Sequence, residues 1–263
     1  MHIRTPATPA TVSAHHRFGL FRRLFETFAI TTILVVLSGT HRASASEPWP
    51  ELPLPPKAAV QWVAQSMRVN GVPTRIMQFQ SRASRTEIVA YYQSYWSGGY
   101  PHPATVHPLG EATVVGQKHG PFLLTLKVED APHGASTGLL AVAQVGGAKP
   151  DLDPGQLPMM GGAHVISVIE SDDPGKHSRQ VVILAPQPPS SVSDFYEAAL
   201  TNEGWQQVQG GAGMSREGRP ASGFAAFARE GNELQVSITQ APGGRGSTLV
   251  ANLVTKDTGP DED

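Results

Sequence analysis

The chain has 263 residues, of which 40% are hydrophobic, 16% are charged and none is cysteine, with a formal net charge of −2. It is apolar enough to fold, and the lack of cysteine excludes thiol catalysis, cysteine-ligated metal, iron–sulfur clusters and a lipid-modified cysteine anchor. Residues 1–45 hold five arginines and one glutamate, so without them 15 basic residues face 21 acidic ones, a net charge of −6; no basic patch remains to neutralise a phosphate backbone, and nucleic acid is not expected as a partner.

The first segment reads as an export signal. Arg17, Arg22 and Arg23 form a basic region, Phe28 to Leu37 a short apolar run, and Ala43-Ser44-Ala45 an A-x-A signal, with cleavage expected after Ala45. Even extended back to Leu24 the run is too short to span a bilayer and then contains Glu26, so no stable membrane insertion is expected once it is removed. Arg22-Arg23-Leu24-Phe25 partly resembles the twin-arginine export motif, but Phe21 and Glu26 depart from it, and general secretion fits better. The expected location is the periplasm or the exterior. A proline-rich arm follows at 46–57, read as an extended linker.

Two stretches then share a pattern. Residues 84–100 and 188–205 align at an offset of 104 residues, placing Ile88, Tyr91, Tyr92, Tyr95 and Trp96 over Val192, Phe195, Tyr196, Ala199 and Leu200. Both sets follow the i, i+3, i+4, i+7 spacing of one helix face. Ser84 with Glu87 predicts a capping box, and Pro189 suits a first helical position. Gly98-Gly99 and Gly204 suit left-handed C-caps. Phe195 and Tyr196 are both expected to be buried on the sheet side.

Strand-like runs flank each helix. Arg75 to Gln80 and Gln180 to Ala185 precede them; Phe122 to Val128, Gly138 to Val145, Leu234 to Ile238 and Ser247 to Thr255 follow. Weaker strands fall near Val60 to Arg68 and His164 to Ser171. Lys118-His119-Gly120 and Glu230-Gly231-Asn232 predict hairpin turns. The expectation is an α+β chain of two tandem repeats, 58–145 and 164–256, each β-β-α-β-β-β. A Gly/Pro-rich linker at 146–163 joins them, and an acidic tail, 257–263, ends the chain.

Val192 to Glu197 (VSDFYE) followed by Glu203-Gly204-Trp205 resembles a motif of small exported bacterial domains, mostly uncharacterised, in which such a helix precedes antiparallel strands. The first stretch is similar but has Gly99-Tyr100 where the motif has Gly-Trp. The resemblance implies a fold and no catalytic residues.

No catalytic constellation is legible. There is no G-x-S-x-G, and Gly213 to Gly218 lacks a strand-to-helix elbow around Ser215. Beyond residue 45 the six histidines, His102, His107, His119, His133, His164 and His177, show no helical ligand pair; His102 and His107 share a proline-rich loop. Gly210-Gly211-Ala212-Gly213 precedes a strand rather than a helix N-terminus and reads as a flexible loop. No metal or cofactor is expected. The function expected is non-catalytic: a protein-binding accessory of an envelope or secretion assembly, with Trp96 and Tyr100 as partner contacts and Arg82 and Arg85 as a charged rim. The alternatives are a module binding a small ligand or envelope polymer, with a pocket at the seam between the units, or an unrecognised enzyme.

Overall fold

The computed structural model describes residues 48–98, 103–173, 175–214 and 220–256. The export segment with Ala45, and Tyr100, His102, Ser215 and the acidic tail, lie outside them. The period-two alternation becomes twelve strands, and every neighbouring pair is antiparallel. In chain order these are β1 Ala58–Val69, β2 Val72–Ser81, α1 Arg85–Ser97, β3 Thr105–Leu109, β4 Ala112–His119, β5 Phe122–Ala131 and β6 Ala135–Gln144. Then come β7 His164–Asp173, β8 Lys176–Ala185, α2 Pro189–Asn202, β9 Gln206–Met214, β10 Pro220–Arg229, β11 Asn232–Gln240 and β12 Ser247–Lys256.

All twelve strands form one sheet, in the order β3-β4-β5-β6-β2-β1-β7-β8-β12-β11-β10-β9. This corrects the expected α+β class: the described residues are β-rich, a single large antiparallel sheet with two short α-helices, rather than two α+β repeats each with its own sheet. The joint is the β1–β7 ladder, Met67 opposite Ser171, Arg68 opposite Glu170 and Val69 opposite Ile169. Asn70 extends it, its N–H donating to the Val168 carbonyl at 2.7 Å and its side-chain oxygen accepting from the Val168 N–H at 2.8 Å. Four strands, not three, follow each helix; β3 and β9 are the additions.

Local chemistry fixes the connections. The β1–β2 turn is Asn70-Gly71 with φ of 51° and 78°, and the β10–β11 turn is Glu230-Gly231 with 51° and 79°. Two successive positive φ values match the twist of the flanking strands. The α1 capping box forms: the Glu87 N–H donates to Ser84 Oγ at 3.3 Å, and Glu87 Oε2 accepts from the Ser84 N–H at 2.7 Å. The Ser84 N–H and the Ser84 hydroxyl, which donates to Glu87 Oε2 at 2.9 Å, with Lys57 nearby, hold the Glu87 carboxyl below its ordinary range. α2 starts on Pro189 and ends on Gly204 in the left-handed region, with the Trp205 N–H bonded to the Leu200 carbonyl at 3.0 Å and that of Gly204 to Thr201 at 3.0 Å. Gly98 differs from expectation: its backbone is extended, φ −89°, and Gly99 lies outside the described residues.

Each helix covers its own hydrophobic cluster on the sheet. Ile88, Tyr92 and Trp96 of α1 pack on Phe79, Phe122, Leu124 and Leu126, and Val192, Tyr196 and Leu200 of α2 pack on Ile183, Phe227, Leu234 and Val236. The buried faces are therefore i, i+4, i+8. Tyr91 and Phe195, expected to be buried, are half-buried, each edge-on to its neighbouring tyrosine.

The two segments expected to be plain linkers are packed against the sheet. In the arm, Trp49 lies 5.3 Å from the Phe122 ring and beneath the Arg75 guanidinium at 4.3 Å, and Leu52 joins the first cluster. The Ser81 hydroxyl donates to the Pro56 carbonyl at 2.6 Å. In 146–163, Leu157, Met160 and Ala163 pack on the second cluster, and Arg179 donates to the Asp153 carbonyl. Arg75 and Arg179 are aligned at the same offset as the helices, so each half closes its sheet face with the segment that precedes it.

Candidate functional site

The two outer edges of the sheet differ sharply. β3 is five residues long and carries Pro108, which removes a backbone donor. β9 is nine residues long, without proline or charge, in the sequence QQVQGGAGM. Among the described residues it pairs with β10 alone. Every residue from Gln206 to Gly211 is exposed, and Val208 is 65% exposed at a register shift opposite Ala226 and Phe227. Edges are ordinarily guarded by charge, proline, brevity or a bulge; β9 lacks the first three and carries a bulge at Val208.

A cleft of about 190 Å³ opens between this edge and α2. Ser193, Tyr196 and Glu197 of α2 form one wall, Gln207 and Gly211 of β9 the outer side, and Phe227, Val236 and Ile238 the apolar floor. The register explains the opening. Phe227 and Ala225 face the second cluster, so their cross-strand partners Gln207 and Gly210 share that face. Gly210 contributes no side chain there; the Gln207 amide lies across it, 2.4 Å from where a Cβ would stand. The glycines expected to form a flexible loop thus lie in a strand and leave space beside the helix.

The two helix tyrosines differ in their hydroxyls. Tyr92 donates to the Pro53 carbonyl of the arm at 2.5 Å. The Tyr196 hydroxyl is buried and has no hydrogen-bond partner among the described residues. Burial raises the pKa of both, that of Tyr196 up to about 12, with Tyr91 adding to the effect on Tyr92.

Of the residues expected to contact a partner, Tyr100 lies outside the described residues, and Trp96, Arg82 and Arg85 do not form a surface together. Trp96 is fully buried against Tyr92, their ring centroids 4.8 Å apart, so it is a core residue and not a contact. Arg85 is tied down by Asp130 at 3.1 Å and by the Glu111 carbonyl at 2.6 Å. Arg82 is exposed at the end of β2. Tyr95, 47% exposed, is the helix aromatic that reaches solvent.

The remaining histidines are dispersed: His107 is exposed on β3, and His177 Nδ1 meets Asp172 Oδ1 at 2.6 Å. No three His, Asp or Glu side chains among the described residues gather as metal ligands. Near the seam a trough of about 540 Å³ runs between the β1–β2 turn and residues 146–151. Its Arg68 guanidinium donates inward to the Gly71 carbonyl at 2.9 Å. No described helix is long and apolar enough to cross a membrane.

A helix laid on an antiparallel sheet, with an open cleft at the sheet's edge, defines the second half of the molecule. Residues 165–248, from β7 into β12, match the model of the START domain-like family. This narrows the resemblance read from the helix motif to residues 165–248, about a third of the chain. No curated protein and no solved structure gives a match.

Proposed function

We propose that the protein is an exported, non-catalytic binding protein that engages another protein of the cell envelope, and that its contact surface is the β9 edge. The observation that carries the reading is the contrast between the two outer strands: β3 is short and proline-bearing, while β9 is longer, uncharged and exposed. An edge without charge, proline or brevity exposes unpaired backbone donors and acceptors, which favour association with another strand. The export signal ending at Ala45 supports the compartment. The cleft beside β9 is smaller than the roughly 300–1,000 Å³ usual for a free small-molecule ligand, which weighs toward a partner's side chain.

The test is affinity purification of the tagged full chain from its own cells, wild type beside Val208→Lys. Val208 is mostly exposed, so the variant keeps its fold while placing a charge on the edge. The reading expects a discrete partner with the wild type and its loss with the variant. Equal recovery with both, or none with either, would reject β9 as the contact.

A further inference from the structure

We propose that the β9 edge accepts an extended peptide as an additional antiparallel strand, and that one apolar side chain of this peptide seats in the cleft beneath α2. The proposal rests on the protein-binding reading above and gives its mode and the chemistry of the occupant.

The backbone supplies the first part. Each strand has donors and acceptors on both sides, and those of β9 that point away from β10 face no strand among the described residues. The sheet is antiparallel throughout, and a peptide added in the same sense continues its ladder.

Side-chain parity supplies the second part. A peptide residue opposite Gly210 points to the same face as Gly210, toward α2. Gly210 has no side chain to block that approach, and the Gln207 amide is the flexible end of an exposed residue. The peptide side chain can then cross Gly210 into the cleft. At about 30 Å³ per water, the 190 Å³ available holds roughly six waters, room for one leucine-sized side chain rather than a larger body.

Charge supplies the third part. The floor is apolar, and the exposed Glu197 carboxylate stands on the helix wall. A carboxylate on the peptide at this position would meet both an apolar floor and a like charge. The occupant is therefore an extended peptide with alternating apolar residues and no acidic residue at the cleft position; basic flanks are tolerated.

The probe is the capped, dye-labelled peptide KTLTLTK, titrated by fluorescence anisotropy against the full exported chain. Saturable binding is expected. N-methylation removes backbone donors without changing the side chains; alternate amides point to opposite edges of a strand, so it is placed at the leucines in one peptide and at the threonines in another, and the peptide whose methylated amides face β9 is expected to bind about tenfold or more weakly. The peptides KTATATK and KTETETK, and the protein variant Ala225→Leu, which extends a residue already lining the cleft, are each expected to weaken it by about tenfold or more. If Ala225→Leu fails to fold, the KTATATK comparison carries the cleft arm alone.

Failure of KTLTLTK to bind overturns strand addition while leaving the envelope partner to the purification test. Indifference to N-methylation in both peptides overturns the backbone ladder, and indifference to leucine truncation overturns the cleft. If sedimentation shows the wild-type chain to be a dimer that Val208→Lys makes monomeric, the edge is occupied by a second copy and the peptide assignment fails.

Discussion

The same substitution in the two halves should have opposite effects. Tyr92 and Tyr196 occupy equivalent places on α1 and α2, and both are buried. The Tyr92 hydroxyl donates to the Pro53 carbonyl, whereas the Tyr196 hydroxyl has no partner among the described residues. Tyr92→Phe removes that bond and leaves a half-buried carbonyl without its donor, a loss of about 1–1.5 kcal/mol. Tyr196→Phe removes a hydroxyl whose desolvation is uncompensated, and stability should rise by up to about 1 kcal/mol. For a chain of this size, 1 kcal/mol corresponds to roughly 2–4 °C in melting temperature. Urea unfolding of the two variants and the wild type, followed by circular dichroism, should give midpoints that move in opposite directions with unchanged slopes. Equal losses in both would mean that Tyr196 is bonded after all, and no change in either would mean that the arm does not close the first half.

Trp96→Ala should cost about 3–5 kcal/mol, because the side chain is fully buried; a melting temperature within a degree of wild type would return Trp96 to the surface. Trp49→Ala should cost about 1–2 kcal/mol through lost packing on Phe122 and Arg75, with proteolysis of residues 48–57 speeding up as the arm loosens. The raised Tyr196 pKa means that its proton is held more tightly in the folded than in the unfolded state. Its contribution to stability is full below about pH 10, the ordinary tyrosine value, and is lost as pH rises toward about 12. Ultraviolet titration should therefore show Tyr92 and Tyr196 ionising together with unfolding, and their ionisation near pH 10 in the folded protein would contradict their burial.

Local chemistry was legible in the sequence, and long-range pairing was not. The helices lie within a few residues of their expected positions, because Ser84, Glu87, Pro189 and Gly204 act through neighbouring atoms. The alternation in β5 and β11 reads directly because one face of each is buried. The continuous sheet escaped the sequence because it depends on a ladder of three residue pairs between β1 and β7, which no periodicity encodes. β3 and β9 escaped because proline and glycine lower strand propensity, yet outer strands tolerate both. The surplus aromatic Trp96 suggested a surface; the first cluster uses its bulk where the second has Leu200 and closes with Trp205. The candidate edge was therefore hidden in the segment that looked most like a loop.

The most direct measurement of the central claim places a photo-cross-linking side chain on β9 at Gln209, and in parallel on β3 at His107, in the full chain expressed in its own cells. Both positions are exposed on outer strands, so they differ in the edge they report rather than in accessibility. The account predicts one discrete cross-linked protein from Gln209 and none from His107. A discrete product from His107 alone, or none from either position, would contradict it.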